Sequence, residues 1–315
     1  MLTRRALLRN AAGLLGGAAV SPLLAAGQPA GAVEFSVFTK HLVGLPYGRI
    51  SDIVADLGFA GIEAPVRKGG HVEPEAVEEG LPRLAEALRS RGLRITMLTT
   101  DINAVDKAAR TEQVLRTARA LGIPRFRMKW YAYEPDRSPR FRMKWYAYEP
   151  DRSPWAQLEE IRPKLAELVA LAREIGIQPC YQNHSGARYV GAGVWDMASL
   201  MRDHRPADLA WAFDLFHATV EGGLSWPNEL RLASERIGMA YFKDFNWKGR
   251  VAHGCPLGAG QVAPESVARL RAAGFGGPVC LHVEYLQGSV SDESHVKEAV
   301  EATRRDFSVL RRWWA

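Results

Sequence analysis

From residue 34 onward, short apolar runs alternate with longer stretches whose apolar positions recur every three or four residues. The runs are EFSVFT (34–39), GIEA (61–64), RITMLTT (94–100), RFRMKWY (125–131), IQPCYQN (177–183), LAWAFD (209–214), GMAYFKD (238–244) and PVCLHVEY (278–285). Their length and their Val, Ile, Phe and Tyr content read as strands. Between them, PEAVEEGLPRLAEALRSRG (74–92), PWAQLEEIRPKLAELVALAREIG (154–176) and DESHVKEAVEATRRDFSVLRRWW (292–314) carry the helical period. Several helices end the same way: Leu-Gly-Phe, Arg-Gly-Leu, Leu-Gly-Ile, Ile-Gly-Ile or Ala-Gly-Phe leads into the next strand. A glycine just past the last turn is the left-handed stop that lets the chain reverse.

Strands alternating with helices predict parallel βαβ units, and eight units predict a single-domain (β/α)8 TIM barrel over 33–315. A doubly wound open sheet is the alternative, but no Gly-rich phosphate loop follows the first strand. In a barrel, functional groups lie at the carboxyl ends of the strands. Those ends carry Lys40 and His41, Glu63 and His71, Asp101, Lys129, then Gln182, Asn183 and His184, Asp214 and His217, Lys243 and Asp244, and Glu284. Any one of them alone reads as a loop cap or a solvated charge. Eight consecutive polar strand ends predict a polar pocket.

Two segments stand outside this pattern. PRFRMKWYAYEPDRS occurs twice without a break, at 124–138 and 139–153. Repeat folds use longer periods and more copies, so this reads as a tandem duplication. The first copy is the natural strand 4, and the second lengthens the loop after it on the catalytic face. Residues 1–32 begin MLTRRALLRN and continue with an apolar Gly/Ala-rich stretch ending in small residues. That is the order of a cleavable export signal of the twin-arginine type, which implies an exported, periplasmic or extracellular protein. The apolar run is short for a membrane span and is interrupted by Pro22.

The formal net charge is +6. Arg4, Arg5 and Arg9 supply three of those charges and each 15-mer supplies two, so the barrel with one copy is left at +1. A nucleic-acid partner is therefore not indicated. Cys180, Cys255 and Cys280 have neither zinc-type spacing nor an even count, and they do not read as a disulfide framework.

GFAGIEAPVRKGGHVEPE (58–75), YQNHSG (181–186), FDLFHATVEGG (213–223), YFKDFNWKG (241–249), PLGAGQV (256–262) and LHVEYL (281–286) resemble the sugar phosphate isomerase/epimerase family, with its xylose isomerase-like TIM barrel. The resemblance implies proton transfer beside a carbonyl of a carbohydrate. It also implies a divalent metal (Mn, Mg or Zn) held by Glu, Asp, His and Glu on strands 5 to 8, with no organic cofactor. Carried over, Asp214 and Glu284 are metal ligands, and Gln182 is a weaker one where the family has Glu. The family's strand-7 His is Tyr241 here. Gln cannot accept a proton near neutral pH, and an un-ionised Tyr is a poor ligand. The usual two-Glu shuttle is therefore not available. Glu284, His217 and Lys243 are the candidate catalytic groups, with Lys243 able to steady an enolate or to form a structural ion pair. Glu63, His71, Lys129, Asn183, His184 and Asp244 are candidate substrate contacts. With export, a free or oxidised sugar or a glycoside is a better substrate than a sugar phosphate. The alternatives are a non-catalytic carbohydrate-binding barrel, or a lyase or hydrolase of keto-sugars.

Overall fold

Eight parallel strands close into a barrel in the computed structural model, which describes residues 33–129, 153–288 and 290–315. The strands are β1 (Phe35–Phe38), β2 (Gly61–Val66), β3 (Arg94–Thr100), β4 (Arg125–Arg127), β5 (Gln178–Gln182), β6 (Ala210–Asp214), β7 (Ile237–Phe242) and β10 (Val279–Leu281). Closure is made by β1, which pairs with β2 on one side and with β10 on the other. This excludes the open-sheet alternative. The helices are α1 (Tyr47–Leu57), α2 (Val77–Arg89), α3 (Thr111–Ala120), α4 (Pro154–Ile175), α5 (Trp195–Met201), α6 (Leu215–Gly222), α7 (Trp226–Ala233), α8 (Glu265–Ala272) and α9 (Glu293–Trp314).

The helical period does what it predicts. Leu81, Leu84 and Leu88 of α2 are fully buried. Truncating any of them to Ala costs about 2–5 kcal/mol. Gly58 and Gly176 close α1 and α4 with φ of 84° and 82°. That left-handed conformation disfavours any side chain with a Cβ.

Two apolar compartments result. The larger lies between strands and helices and includes Trp211, Phe213 and Phe242. The smaller fills the lumen: Phe38, Met97, Cys180, Ala210, Ala212, Met239, Tyr241 and Cys280. Strand side chains alternate faces. The lumen parity therefore runs on from Met97 to Thr99, Cys180 to Gln182, Tyr241 to Lys243, and Cys280 through His282 to Glu284. The lumen floor is apolar and its carboxyl-end mouth is charged.

Three expectations change. The run at 238–244 is not one strand: β7 ends at Phe242, and Asp244 opens an antiparallel hairpin of β8 (Asp244–Lys248) and β9 (Val251–Cys255). The run at 278–285 is reduced to a three-residue strand, and both its neighbours end at the same level, β1 at Phe38 and β7 at Phe242. β4 covers only Arg125–Arg127 of the expected 125–131, and it comes from the first copy of the 15-mer. Residues 1–32 and 130–152, hence the leader and most of the duplicated segment, lie outside the described residues, as does the loop expected after strand 4. Among the described residues no helix is long and apolar enough to cross a membrane.

Candidate active site

Asp214 links strand to helix. It is the last residue of β6 and the N-cap of α6, its Oδ1 accepting from the backbone N–H of Phe216 (3.1 Å) and His217 (3.3 Å). An Asp in that position satisfies donors the first helical turn leaves orphaned. In Asp-Leu-Phe-His it also places His217 one turn away on the same face.

From Asp214, side chains connect into a closed circuit around the mouth of the lumen. Asp214 Oδ2 accepts from the Gln182 amide (2.8 Å) and from Lys243 Nζ (3.1 Å). Lys243 Nζ also lies 3.0 Å from Glu284 Oε2. Glu284 Oε2 is 3.6 Å from His282 Nδ1, and His282 Nε2 is 3.2 Å from Glu63 Oε2. Glu63 Oε1 is 3.0 Å from Arg127 Nε, and Arg127 Nη1 donates to Gln182 Oε1 at 2.7 Å. The two Asp214 carboxylate oxygens are thus fully engaged, and the backbone of Asp214 exchanges two further bonds with the Asn183 side chain (2.7 and 3.0 Å).

Charge and burial sort these groups by role. Glu63 and Asp214 side chains are wholly buried, whereas that of Glu284 is 29% exposed. Glu284 is therefore the carboxylate of this circuit that is open to solvent. Burial pushes its pKa up, but Lys243, His282 and Lys40 outweigh that and hold it well below the usual carboxylate range. Burial opposes charge on Lys243, but Asp214 and Glu284 prevail and raise its pKa. His217 is driven far below the ordinary imidazole value by burial, then by Lys243 and His184. Lys243 Nζ lies 3.0 Å from His217 Nε2. An ammonium only donates, so Nε2 accepts and Nδ1–H faces Ser185 Oγ, 2.8 Å away. His184 lies against His217 with ring centres 3.9 Å apart, and burial then Lys243 lower its pKa to about 3.

The other expected residues fall elsewhere. His71 Nε2 meets Thr39 Oγ1 at 2.9 Å, and burial lowers its pKa to about 4. Lys129 is ion-paired with Asp101. Asp244 faces away from the lumen, as the residue after Lys243 must. Its carboxylate accepts from four backbone N–H groups, those of Phe245, Gly258, Gly260 and Val262 (2.8–2.9 Å). That makes it the anchor of the 256–262 loop, and its acceptors are engaged there instead of at the pocket. A Cβ on Gly260 would sit 2.1 Å from the Phe245 carbonyl oxygen, which accounts for glycine in the PLGAGQV segment. Arg127, His282, Thr99 and Ser185 were not anticipated. The signal for Arg127 and His282 is present in the sequence: a charged or polar residue within the apolar runs 125–131 and 278–285, with apolar neighbours on both sides.

Residues 51–312 match the family described as the xylose isomerase-like TIM barrel. The chain belongs to that family. No curated protein sequence matches it. Solved structures similar to this xylose isomerase-like barrel include D-psicose 3-epimerase with D-tagatose from Clostridium cellulolyticum H10 (14% identity, 89% of this chain and 99% of that one, TM-score 0.64). Another is 3-keto-D-glucoside 4-epimerase from E. coli (15%, 89% and 99%, TM-score 0.63). A third is the IolI protein with a bound zinc atom (14%, 87% and 96%, TM-score 0.67). At these identities the likeness establishes the fold.

The metal set carried over from the resemblance does not fit the side chains of this xylose isomerase-like barrel. Gln182 has its carbonyl oxygen turned to Arg127 and its amide to Asp214. Arg127 has no acceptor and carboxylates have no donor, so this orientation is forced. Tyr241 points its hydroxyl at Met97 Sδ (3.0 Å), and burial keeps it protonated, its pKa well above the usual phenol value. Asp214 and Glu284 are separated by the Lys243 ammonium. Among the described residues, one group of three metal-ligating side chains brings its donor atoms within 4.8 Å of one another: Glu63, Cys280 and His282. There Glu63 already meets Arg127 and Thr99 (2.5 Å), and burial raises the Cys280 thiol pKa well above its ordinary value.

Proposed function

We propose that the chain is an isomerase or epimerase that moves a proton beside the carbonyl of a free or oxidised sugar or a glycoside. One observation carries this reading: a charged lysine is held between a buried and a reachable carboxylate at the mouth of a xylose isomerase-like barrel. Glu284 removes the proton from the carbon next to the substrate carbonyl. The C–H electron pair moves into the new C=C bond and the carbonyl pair onto oxygen. Lys243 donates to that oxygen as the charge develops, the kind of preset electrostatic support that lowers such barriers most. Turning Lys243 from Glu284 toward substrate also removes the main cause of Glu284's low pKa, so the base strengthens as the oxyanion forms. Return of the proton to the other carbon of the enediol isomerises, and return to the opposite face epimerises. Loss of a β-leaving group instead gives elimination. His217 fixes Lys243 and, with His184 beside it, is the second proton carrier. Lys40, 3.3 Å from Glu284 Oε1, lies on the open side, where the substrate enters.

The test is incorporation of solvent deuterium into a panel of ketoses, aldoses and keto-glycosides. Glu284→Gln should cut exchange by a factor of about 10²–10⁴ while leaving sugar affinity within a few-fold. If wild-type protein binds sugars without exchange, and Glu284→Gln binds equally well, the barrel is a carbohydrate-binding protein instead. The twin-arginine-like leader supports an exported enzyme, which disfavours phosphorylated substrates. N-terminal sequencing of the protein from its native cells checks this, and a mature chain that still begins at Met1 would contradict it.

A further inference from the structure

We infer that the Lys243 ammonium is the resident cation of this barrel, standing where its family would place a divalent ion, and that the protein carries no divalent metal. The inference stands on ion-pair geometry and not on the proposed reaction. Lys243 Nζ is 3.1 Å from Asp214 Oδ2, 3.0 Å from Glu284 Oε2 and 3.0 Å from His217 Nε2, and its side chain is only 11% exposed. These are three ligand-type atoms converging on one nitrogen. Oxygen ligands sit about 2.0–2.6 Å from Mg2+, Mn2+ or Ca2+, so a metal would require the three atoms to draw together into the volume the ammonium fills.

The charges agree. Glu63, Asp214 and Glu284 supply three negative charges, and Arg127, Lys243 and Lys40 contact them with three positive ones. A dication would add an uncompensated +2 to a largely enclosed site, which is costly in a low dielectric. The two departures from the family's ligand set fit the same picture. A Glu at 182 would set a fourth negative charge against three positive ones, whereas Gln182 is neutral and its carbonyl is committed to Arg127. Tyr241 in place of His removes a ligand, and its ring lies beside His282, with centroids 4.3 Å apart.

The test uses the full chain, saturated with Mn2+ and separated by gel filtration, with metal content per chain and Tm measured with and without EDTA. Wild type should retain no stoichiometric Mn2+, and its Tm should not respond to Mn2+ or to EDTA. Lys243→Ala vacates the position and should bind Mn2+ at least about tenfold more tightly than wild type, seen as a Mn2+-dependent rise in Tm. Lys243→Asn is the second variant should the alanine protein not fold. Wild type holding one equivalent of metal that EDTA removes would overturn the inference, whichever residues held it. Variants that fold yet gain no Mn2+ affinity would overturn it too, because the carboxylates would then not define a cation position. Both readouts are independent of any sugar turnover.

Discussion

Replacing Arg127 with Met asks whether the circuit at the barrel mouth is held by charge. Arg127 lies 3.0 Å from Glu63 Oε1, 2.7 Å from Gln182 Oε1 and 3.1 Å from Thr99 Oγ1, with its guanidinium carbon 4.8 Å from the centre of the Phe38 ring. Burial raises the Glu63 pKa, but Arg127, with His282 and Thr99, more than offsets this and brings it from 4.5 to about 2. A carboxyl depressed in the folded state contributes stability that is complete above its unfolded value and is lost as pH falls from 4.5 toward 2. At about 1.36 kcal/mol per unit, the contribution near neutral pH is about 3 kcal/mol. In Arg127→Met burial dominates, Glu63 titrates above its ordinary value, and the folded state at pH 7 carries an uncompensated buried charge. The expected loss is about 3–5 kcal/mol. Acid should relieve it, because Glu63 is then neutral in the variant, while in wild type the ion pair persists but its contribution to stability shrinks as the unfolded-state Glu63 takes up a proton. Urea unfolding at pH 7 and pH 4, extrapolated linearly, should therefore show a gap that narrows as pH falls. Arg127→Met with Glu63→Gln should recover most of the loss, since a buried pair replaced as a whole is often near neutral. A gap of equal size at both pH values would refute the reasoning, as would a double variant no better than the single one.

Burial lowers the His41 pKa to about 4, with His71 adding to the effect. The unfolded chain takes up that proton near 6.5, so stability falls as pH drops from 6.5 to 4; His41→Asn should remove about 3 kcal/mol of that decline, measured by urea melts across the range. Asp244→Ala strips four backbone N–H groups of their acceptor and should cost about 3 kcal/mol; a change in Tm of under a degree would show that the 256–262 loop is held by other contacts. Because β4 comes from the first copy, deleting 139–153 should leave the circular dichroism spectrum and Tm no worse than in the full chain, and a collapse of soluble expression would show the second copy to be required.

Period alone made the elements legible. Apolar alternation located all eight barrel strands, and the glycine stops marked where helices end. Parity also carried Lys243, Asp214 and Glu284 to the strand ends, and Lys243 does join the two carboxylates although Asp214 and Glu284 are seventy positions apart in the chain. What alternation leaves undetermined is what faces what across the lumen. Glu63 meets His282 from 219 positions away, and Arg127 meets Gln182 from 55. The direction of the Gln182 amide, which decides against a ligand role, follows from Arg127 and from nothing local. The same holds for Asp244. As a strand-end carboxylate it reads as a substrate contact, and only the return of Gly258, Gly260 and Val262 around it makes it a loop anchor. Side-chain periodicity is a property of the backbone and is written along the chain. Hydrogen-bond partnership and the sign of a local field depend on groups brought together by barrel closure, so the tertiary structure alone decided which side chains surround Lys243 and which of them are already committed to other partners.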